Sequence, residues 1–302
     1  MHDLVIRQGL VIDGTGAQRV VEDVAVDDGR ITGRGRGIGP AHREIKADGL
    51  LVTPGFVDIH THYDGQATWD SQLAPSSLHG VTTAIFGNCG VGFAPVRPGT
   101  SDFLINLMEG IEDIPGTVLA EGVRFNWESF AEYMAALDAL PHAIDIGTQV
   151  PHTALRFYVM GERGAVHDQA PTEAEITRMG ALLEEALAAG ALGFTTSRTT
   201  KHRARDGRLV PSLTAREPEL AGLALAMKRA GRGVLEVNSD FGLASSRHCK
   251  RPRASRDGRC RACLSKCGNT PGCGAKRSIG FMPCGRRAST PPPRFRRAAS
   301  AS

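Results

Sequence analysis

From Pro54 onward, short apolar runs alternate with helix-like segments, and this alternation limits the fold more than any other feature. Strand-like runs lie at Phe56–Ile59, Val81–Phe86, Ala143–Gly147, Leu192–Thr195 and Val234–Val237. Between them, Asn126 is expected to cap a helix through Trp127–Leu140, ended by Pro141. Thr172 with Glu175 predicts a capping box for a helix running to about Ala189, with Gly190 just past its end. A third helix is expected near Pro218–Ala230. Residues 92–125, rich in Gly and Pro, read as a long functional loop or lid. Apolar strands separated by helices predict an α/β fold with a buried parallel sheet. The series fits a (β/α) barrel over residues 54–242 that has about five of its eight units. Residues 1–53 differ: Leu4–Ile6, Leu10–Ile12, Val24–Val26 and Ile31 are strand-like, and Asp13-Gly14 and Asp28-Gly29 signal turns. They predict a small β-module.

The first barrel-type strand ends in His60-Thr-His62. Side chains two apart on a strand share a face, with Cα atoms roughly 6.6 Å apart. Both imidazoles can therefore reach one metal at about 2.0–2.1 Å. Imidazole suits zinc, iron and nickel. The second strand ends in Gly87-Asn-Cys-Gly90. In a (β/α) barrel the reactive side chains gather at the C-terminal strand ends, where His60, His62 and Cys89 all fall. A thiolate is a good zinc ligand, and small neighbours around Cys89 leave room for close approach. A buried, inert thiol is the alternative.

These residues resemble a known family. His60-Thr-His-Tyr-Asp64, Leu78-His-Gly-Val-Thr-Thr83 and Gly87-Asn-Cys-Gly-Val-Gly-Phe-Ala-Pro95 are similar to motifs of the N-acyl-D-amino-acid deacylases (D-aminoacylases) of the amidohydrolase superfamily. So are Met108–Gly116, Asn126–Tyr133 and Gly190–Ser197, which extends the resemblance over about residues 3–241. It implies a metal-dependent (β/α) barrel beside a small β-sandwich, with residues 1–53 as the sandwich's N-terminal part. It implies zinc held by His60, His62 and Cys89, the Cys89 thiolate standing where other amidohydrolases use a carboxylated lysine. The implied activity is hydrolysis of a small-molecule N-acyl-D-amino acid to a carboxylate and a D-amino acid. A relative acting on a cyclic amide or ureide, and an inactive fragment or pseudoenzyme, are the rival expectations.

The resemblance implies further histidine ligands on strands five and six and a catalytic aspartate on the last strand. At the fifth strand this chain has Asn238-Ser239-Asp240, and no counterpart of the later strands follows Gly242. The catalytic residue is therefore unassigned, and the chain as written is expected to be inactive. Asp240 reads either as an oxygen ligand or as a turn acid. Asp64 and Asp70 read as acids orienting an imidazole or as loop caps. His79 reads as catalytic or as a core histidine bonded to backbone. Among Arg198, Lys201 and His202, Arg198 is the candidate to bind a substrate carboxylate bidentately, against a plain solvated loop. Lys201 as a carboxylated metal bridge is made unnecessary by Cys89.

The formal net charge of +4 conceals two unlike segments. Residues 243–302 hold 15 Lys and Arg and a single acid, Asp257, whereas the preceding residues hold 21 basic and 31 acidic side chains. Six of the seven cysteines also fall in that tail, so the body reads as an acidic, cytoplasmic domain without a disulfide framework. No apolar run reaches membrane-spanning length, and no membrane partner is expected. With Leu243, Leu264 and Ile279 as its only Leu, Ile or Val, the tail cannot build a core. It reads as a basic Cys-rich binding module, as a disordered tail, or as a stretch read out of frame after about residue 242. The Arg, Ala, Gly, Pro, Ser and Cys bias favours the last, and no nucleic-acid partner is expected.

Overall fold

A computed structural model describes residues 1–240 and the two-residue strand Cys263–Leu264. The predictions about residues 243–302 otherwise lie outside the described residues. The chain divides into two compact units, Met1–Phe56 and Val57–Ser302.

The first unit is a mixed sheet of β1 (His2–Val11), β2 (Val20–Asp27), β3 (Arg30–Gly35), β4 (Ala41–Lys46) and β5 (Leu51–Val52). Its order is β3-β2-β1-β4, with β5 also paired to β1. β1 runs antiparallel to β2 and parallel to β4 and β5. The Asp28-Gly29 turn forms as predicted, with φ of 49° and 68°, the left-handed pair that a two-residue hairpin needs. Val5, Val24 and Ala25 are buried, while Val20, Val21 and Ile31 lie exposed.

The second unit alternates strands and helices. Its strands are β6 (Phe56–Asp58), β7 (Val81–Phe86), β8 (Asp145–Thr148), β9 (Val150–Pro151), β10 (Gly193–Arg198), β11 (Val234–Ser239) and β12 (Cys263–Leu264). They form one sheet of order β6-β7-β8 and another of order β9-β10-β11-β12. The β7–β8, β9–β10 and β10–β11 pairs are all parallel. Backbone bonds join the two sheets, because Leu192 N–H, just before β10, donates to Thr148 O of β8 at 2.9 Å. Strands adjacent in sequence are thus adjacent in space, as crossover helices require.

The helices are α1 (Ser101–Glu112), α2 (Gly116–Gly122), α3 (Phe130–Ala139), α4 (His152–Met160), α5 (Glu173–Ala189) and α6 (Glu217–Ala230). The Thr172–Glu175 capping box forms, with Thr172 N–H on the Glu175 carboxylate at 2.7 Å and Glu175 N–H on the Thr172 hydroxyl at 3.2 Å. Met179, Leu183 and Leu187, spaced by four, are fully buried. Beneath the helices, the fully buried Glu219 of α6 accepts from Arg156 and pairs with His152 of α4.

Three expectations need correction. Asn126 does not cap α3; Ser129 does, in a capping box with Glu132. Residues 92–125 are not one continuous loop, because α1 and α2 fold within them. The strand expected to be a buried apolar run is short and open: Phe56, Val57 and Ile59 are 57–63% exposed, and β6 ends its sheet among the described residues. Among the described residues no helix is long and apolar enough to cross a membrane.

Candidate metal centre

Strand β6 ends at Asp58, and the chain then turns so that His60 and His62 face one another edge to face, ring centroids 5.4 Å apart. Strand β7 ends at Phe86 in a turn made by three consecutive-region residues with positive φ: Gly87 at 78°, Cys89 at 55° and Gly90 at 69°. Asn88 locks that turn, its amide donating to Thr61 O and Ile85 O at 2.9 and 3.0 Å. The turn delivers Cys89, 4% exposed, to the histidines. His60, His62 and Cys89 each offer a ligand atom, and these atoms lie within 4.8 Å of one another. Cys89 Sγ is 3.3 Å from His60 Nε2. Two ligands on a tetrahedral zinc, at about 2.3 Å for sulfur and about 2.0 Å for nitrogen, sit roughly 3.5 Å apart.

Gly87 cannot be replaced without cost. A Cβ there would lie 2.2 Å from Gln149 O. Gly87→Ala is expected to lower folding stability by about 1–3 kcal/mol, read as a fall in the denaturant midpoint. A variant as stable as the parent would show that the turn is not fixed in this form.

Two carboxylates that sequence reasoning missed reach the histidines. Glu236 of β11, with a side chain 8% exposed, places Oε1 3.2 Å from His60 Nδ1. Its other oxygen accepts from Gln149 Nε2 at 2.8 Å. Glu112, the last residue of α1, places Oε1 3.1 Å from His62 Nε2. Carboxylates behind ligating imidazoles fix ring orientation and raise ligand basicity. His62 Nδ1 is buried and makes no hydrogen bond. An imidazole nitrogen left in that condition, beside a thiol and a second imidazole, fits a borderline metal such as zinc.

The electrostatics agree. Hydrogen bonding to Cys89 and then to Glu236 pushes His60 up to about 10. Burial, with the charge of His60, pushes His62 down to about 3, so that ring is neutral. Burial raises the Cys89 thiol, opposed by its bond to His60. Burial also lifts Glu112 to about 7. A metal entering here must displace the proton of His60, and a metal-bound thiol ionises.

The other candidates are placed as follows. Asp64 is fully buried beside this region, its carboxyl pushed up to about 8 by burial, and the Tyr133 hydroxyl donates to its backbone oxygen at 2.7 Å. Asp70 caps its own loop, accepting from Gln66 Nε2 and from Gln72 N–H. His79 is exposed and is not a core histidine. Arg198 is not in a solvated loop: it ends β10, is 4% exposed, and donates to Ala215 O at 2.5 Å. Lys201 is exposed in the turn beyond it. Asp240 acts as a turn acid, accepting from the Thr199 hydroxyl at 2.6 Å and Thr200 N–H at 2.9 Å.

The Amidohydrolase family model matches residues 43–246. An uncharacterized protein of Mycobacterium tuberculosis is 34% identical over 275 residues, covering 84% of this chain and 44% of its own length. The D-aminoacylase of Alcaligenes xylosoxydans xylosoxydans is 34% identical over 195 residues, covering 64% of this chain and 37% of its own. Among solved structures, the N-acyl-D-glutamate deacylase of Bordetella bronchiseptica, complexed with zinc and a phosphonate inhibitor, is similar with a TM-score of 0.60 and 33% identity, over 78% of this chain and 44% of that one. This chain therefore spans under half the length of these curated relatives.

Proposed function

This chain belongs to the Amidohydrolase family, and from that membership and the geometry of its site we propose that it serves zinc-dependent hydrolysis of the amide bond of N-acyl-D-amino acids. The observation that carries this reading is the convergence of His60, His62 and Cys89 at the ends of two neighbouring strands. Strands β6, β7, β8 with β9, β10 and β11 are read as the first five of an eight-stranded barrel, and the sheet of Met1–Phe56 as one layer of a small sandwich. The substrate is a small molecule. The deacylases of D-aspartate and D-glutamate derivatives among its relatives point to the D series.

In this reading His60, His62 and Cys89 hold the zinc. Bound zinc supplies polarisation of the amide carbonyl and a more acidic water. The Glu236 carboxylate lies 3.2 Å from His60 Nδ1, leaving Nε2 toward Cys89. Glu112 stands at the His62 side of the centre, its Oε1 3.1 Å from His62 Nε2.

A second reading, a chain that binds metal without turnover, is favoured by the open apolar side chains of Phe56, Val57 and Ile59, in and just after β6 and immediately ahead of the histidines. Zinc-loaded protein should be assayed with N-acetyl-D-methionine, its L enantiomer and a cyclic amide. Zinc-dependent, D-selective release of free amine, absent in Cys89→Ala, supports the hydrolase reading and overturns the expectation that the chain as written is inactive. Zinc uptake with no turnover selects the second reading, and turnover equal in Cys89→Ala overturns the first.

A further inference from the structure

Cys89 Sγ has a neighbour besides His60. Asn238 Nδ2 lies 3.5 Å from it, within hydrogen-bonding reach of sulfur. The same nitrogen lies 3.3 Å from His202 Nε2. An amide nitrogen carries only donors, so His202 Nε2 is the acceptor and the ring is neutral there. Its proton must then sit on Nδ1, which lies 2.8 Å from Ser197 Oγ. The Ser197 oxygen therefore accepts.

The strand register anchors two members of this chain of bonds. Ser197 of β10 and Asn238 of β11 are direct partners across the parallel pair. Ser197 is fully buried, and its own backbone is tied to Ser212, whose hydroxyl donates to Ser197 O at 2.9 Å. His202 reaches back from the turn after β10 and fills the gap between the two partners. The order is Ser197 Oγ, His202, Asn238 Nδ2, Cys89 Sγ.

We propose that Ser197, His202 and Asn238 form a positioning relay that aims one N–H at the Cys89 sulfur and so sets how strongly that thiolate donates to a bound metal. The proposal rests on the reading of Cys89 as a metal ligand. A hydrogen bond to a thiolate withdraws electron density from it. A weaker sulfur donor leaves the metal a stronger Lewis acid. His202 is needed because an amide alone can rotate; an acceptor on its second N–H fixes the plane and keeps the first on sulfur. None of the three residues needs to touch substrate.

The relay can be tested on the full chain with cobalt(II) in place of zinc. Cys89 ligation gives a sulfur-to-cobalt charge-transfer band in the near ultraviolet. Asn238→Ala removes the N–H from sulfur, and the band is expected to move to lower energy. His202→Ala is expected to move it in the same direction. His202→Gln, whose side-chain oxygen can accept from Asn238, is expected to restore the parent band. Bands that superimpose in all four proteins overturn the relay. A measurement on the unsubstituted protein needs no variant to fold: nitrogen-15 NMR of His202 should show the proton on Nδ1, and a proton on Nε2 overturns the proposal. A parent protein with no sulfur-to-cobalt band overturns the ligand reading itself, an outcome distinct from a band that ignores His202.

Discussion

Cys89→Ala is expected to abolish zinc uptake while leaving the fold intact. The sulfur sits 3.3 Å from His60 Nε2, at the spacing of two ligands on one metal. Losing a partner that merely orients a ligand costs 10–100-fold in affinity as an order of magnitude, so losing the thiolate should cost more than about 100-fold. Alanine keeps the Cβ at a position whose φ is already 55° in the parent, and it deletes only one buried atom. Circular dichroism and the unfolding midpoint should therefore change little. Zinc content after dialysis and a competition titration with a chromophoric chelator give the affinity directly. Zinc held as tightly by Cys89→Ala as by the parent would remove Cys89 from the centre. Affinity in the parent should also climb with pH, because the His60 proton held by Cys89 and Glu236 has to leave.

The centre was only half legible in the sequence, for reasons of chain separation. His60, His62 and Cys89 were legible because each follows closely on a strand, although β6 ends at Asp58 and the turns after β6 and β7, not the strand's period, bring the three together. Glu112 and Glu236 carry no local signal. Glu112 closes α1, a helix inside a stretch that reads as loop, and Glu236 sits on β11 in an apolar run. Their contacts with His62 and His60 appear only when the strands are laid side by side. Arg198 went astray by a similar route: a strand end misplaced by three residues put a buried side chain into solvent.

Where elements were missed, tertiary contact had overridden local preference. Gly110 makes α1 look broken, yet a Cβ there would lie 2.2 Å from Arg205 N and 2.3 Å from Ala204 C. The glycine is required by the close passage of that segment, not by a turn. Asn126 is a good cap by type, but Trp127 beside it is drawn inward, its indole N–H on Phe93 O at 2.9 Å, and the helix waits for Ser129. The box at Thr172 was legible because both halves of it are local. Helix α4 buries polar side chains that sequence reading assigns to solvent: His152, Thr153 and Arg156 are buried along with Ala154 and Leu155.

That burial leads to the largest expected effect on stability. Arg156 Nη1 donates to both Glu219 oxygens, at 2.5 and 2.6 Å, and Nη2 donates to Gln169 O. His152 shares the same carboxylate at 2.9 Å, with Thr196 Oγ1 2.8 Å from its other nitrogen. All of Arg156, His152 and Glu219 are at most 1% exposed. Glu219→Ala leaves a guanidinium buried without its counter-charge, and removing one partner of such a pair costs about 3–5 kcal/mol. Denaturant unfolding should show that loss with little change in slope. The double variant Arg156→Met with Glu219→Leu should regain much of it, because an apolar pair of similar volume carries no uncompensated charge. The same cluster gives a pH dependence of definite sign. Burial pushes the His152 imidazole down from its ordinary 6.5. The unfolded chain takes that proton as pH falls below about 6.5 and the native chain refuses it, so stability declines toward acid. Burial pushes Glu219 up, but His152 and Arg156 together hold it below its ordinary value, which adds a further loss at lower pH. A Glu219→Ala variant that loses under about 1 kcal/mol, the size of an ordinary substitution, would mean that water reaches Arg156 and that α4 and α6 are not joined through this carboxylate.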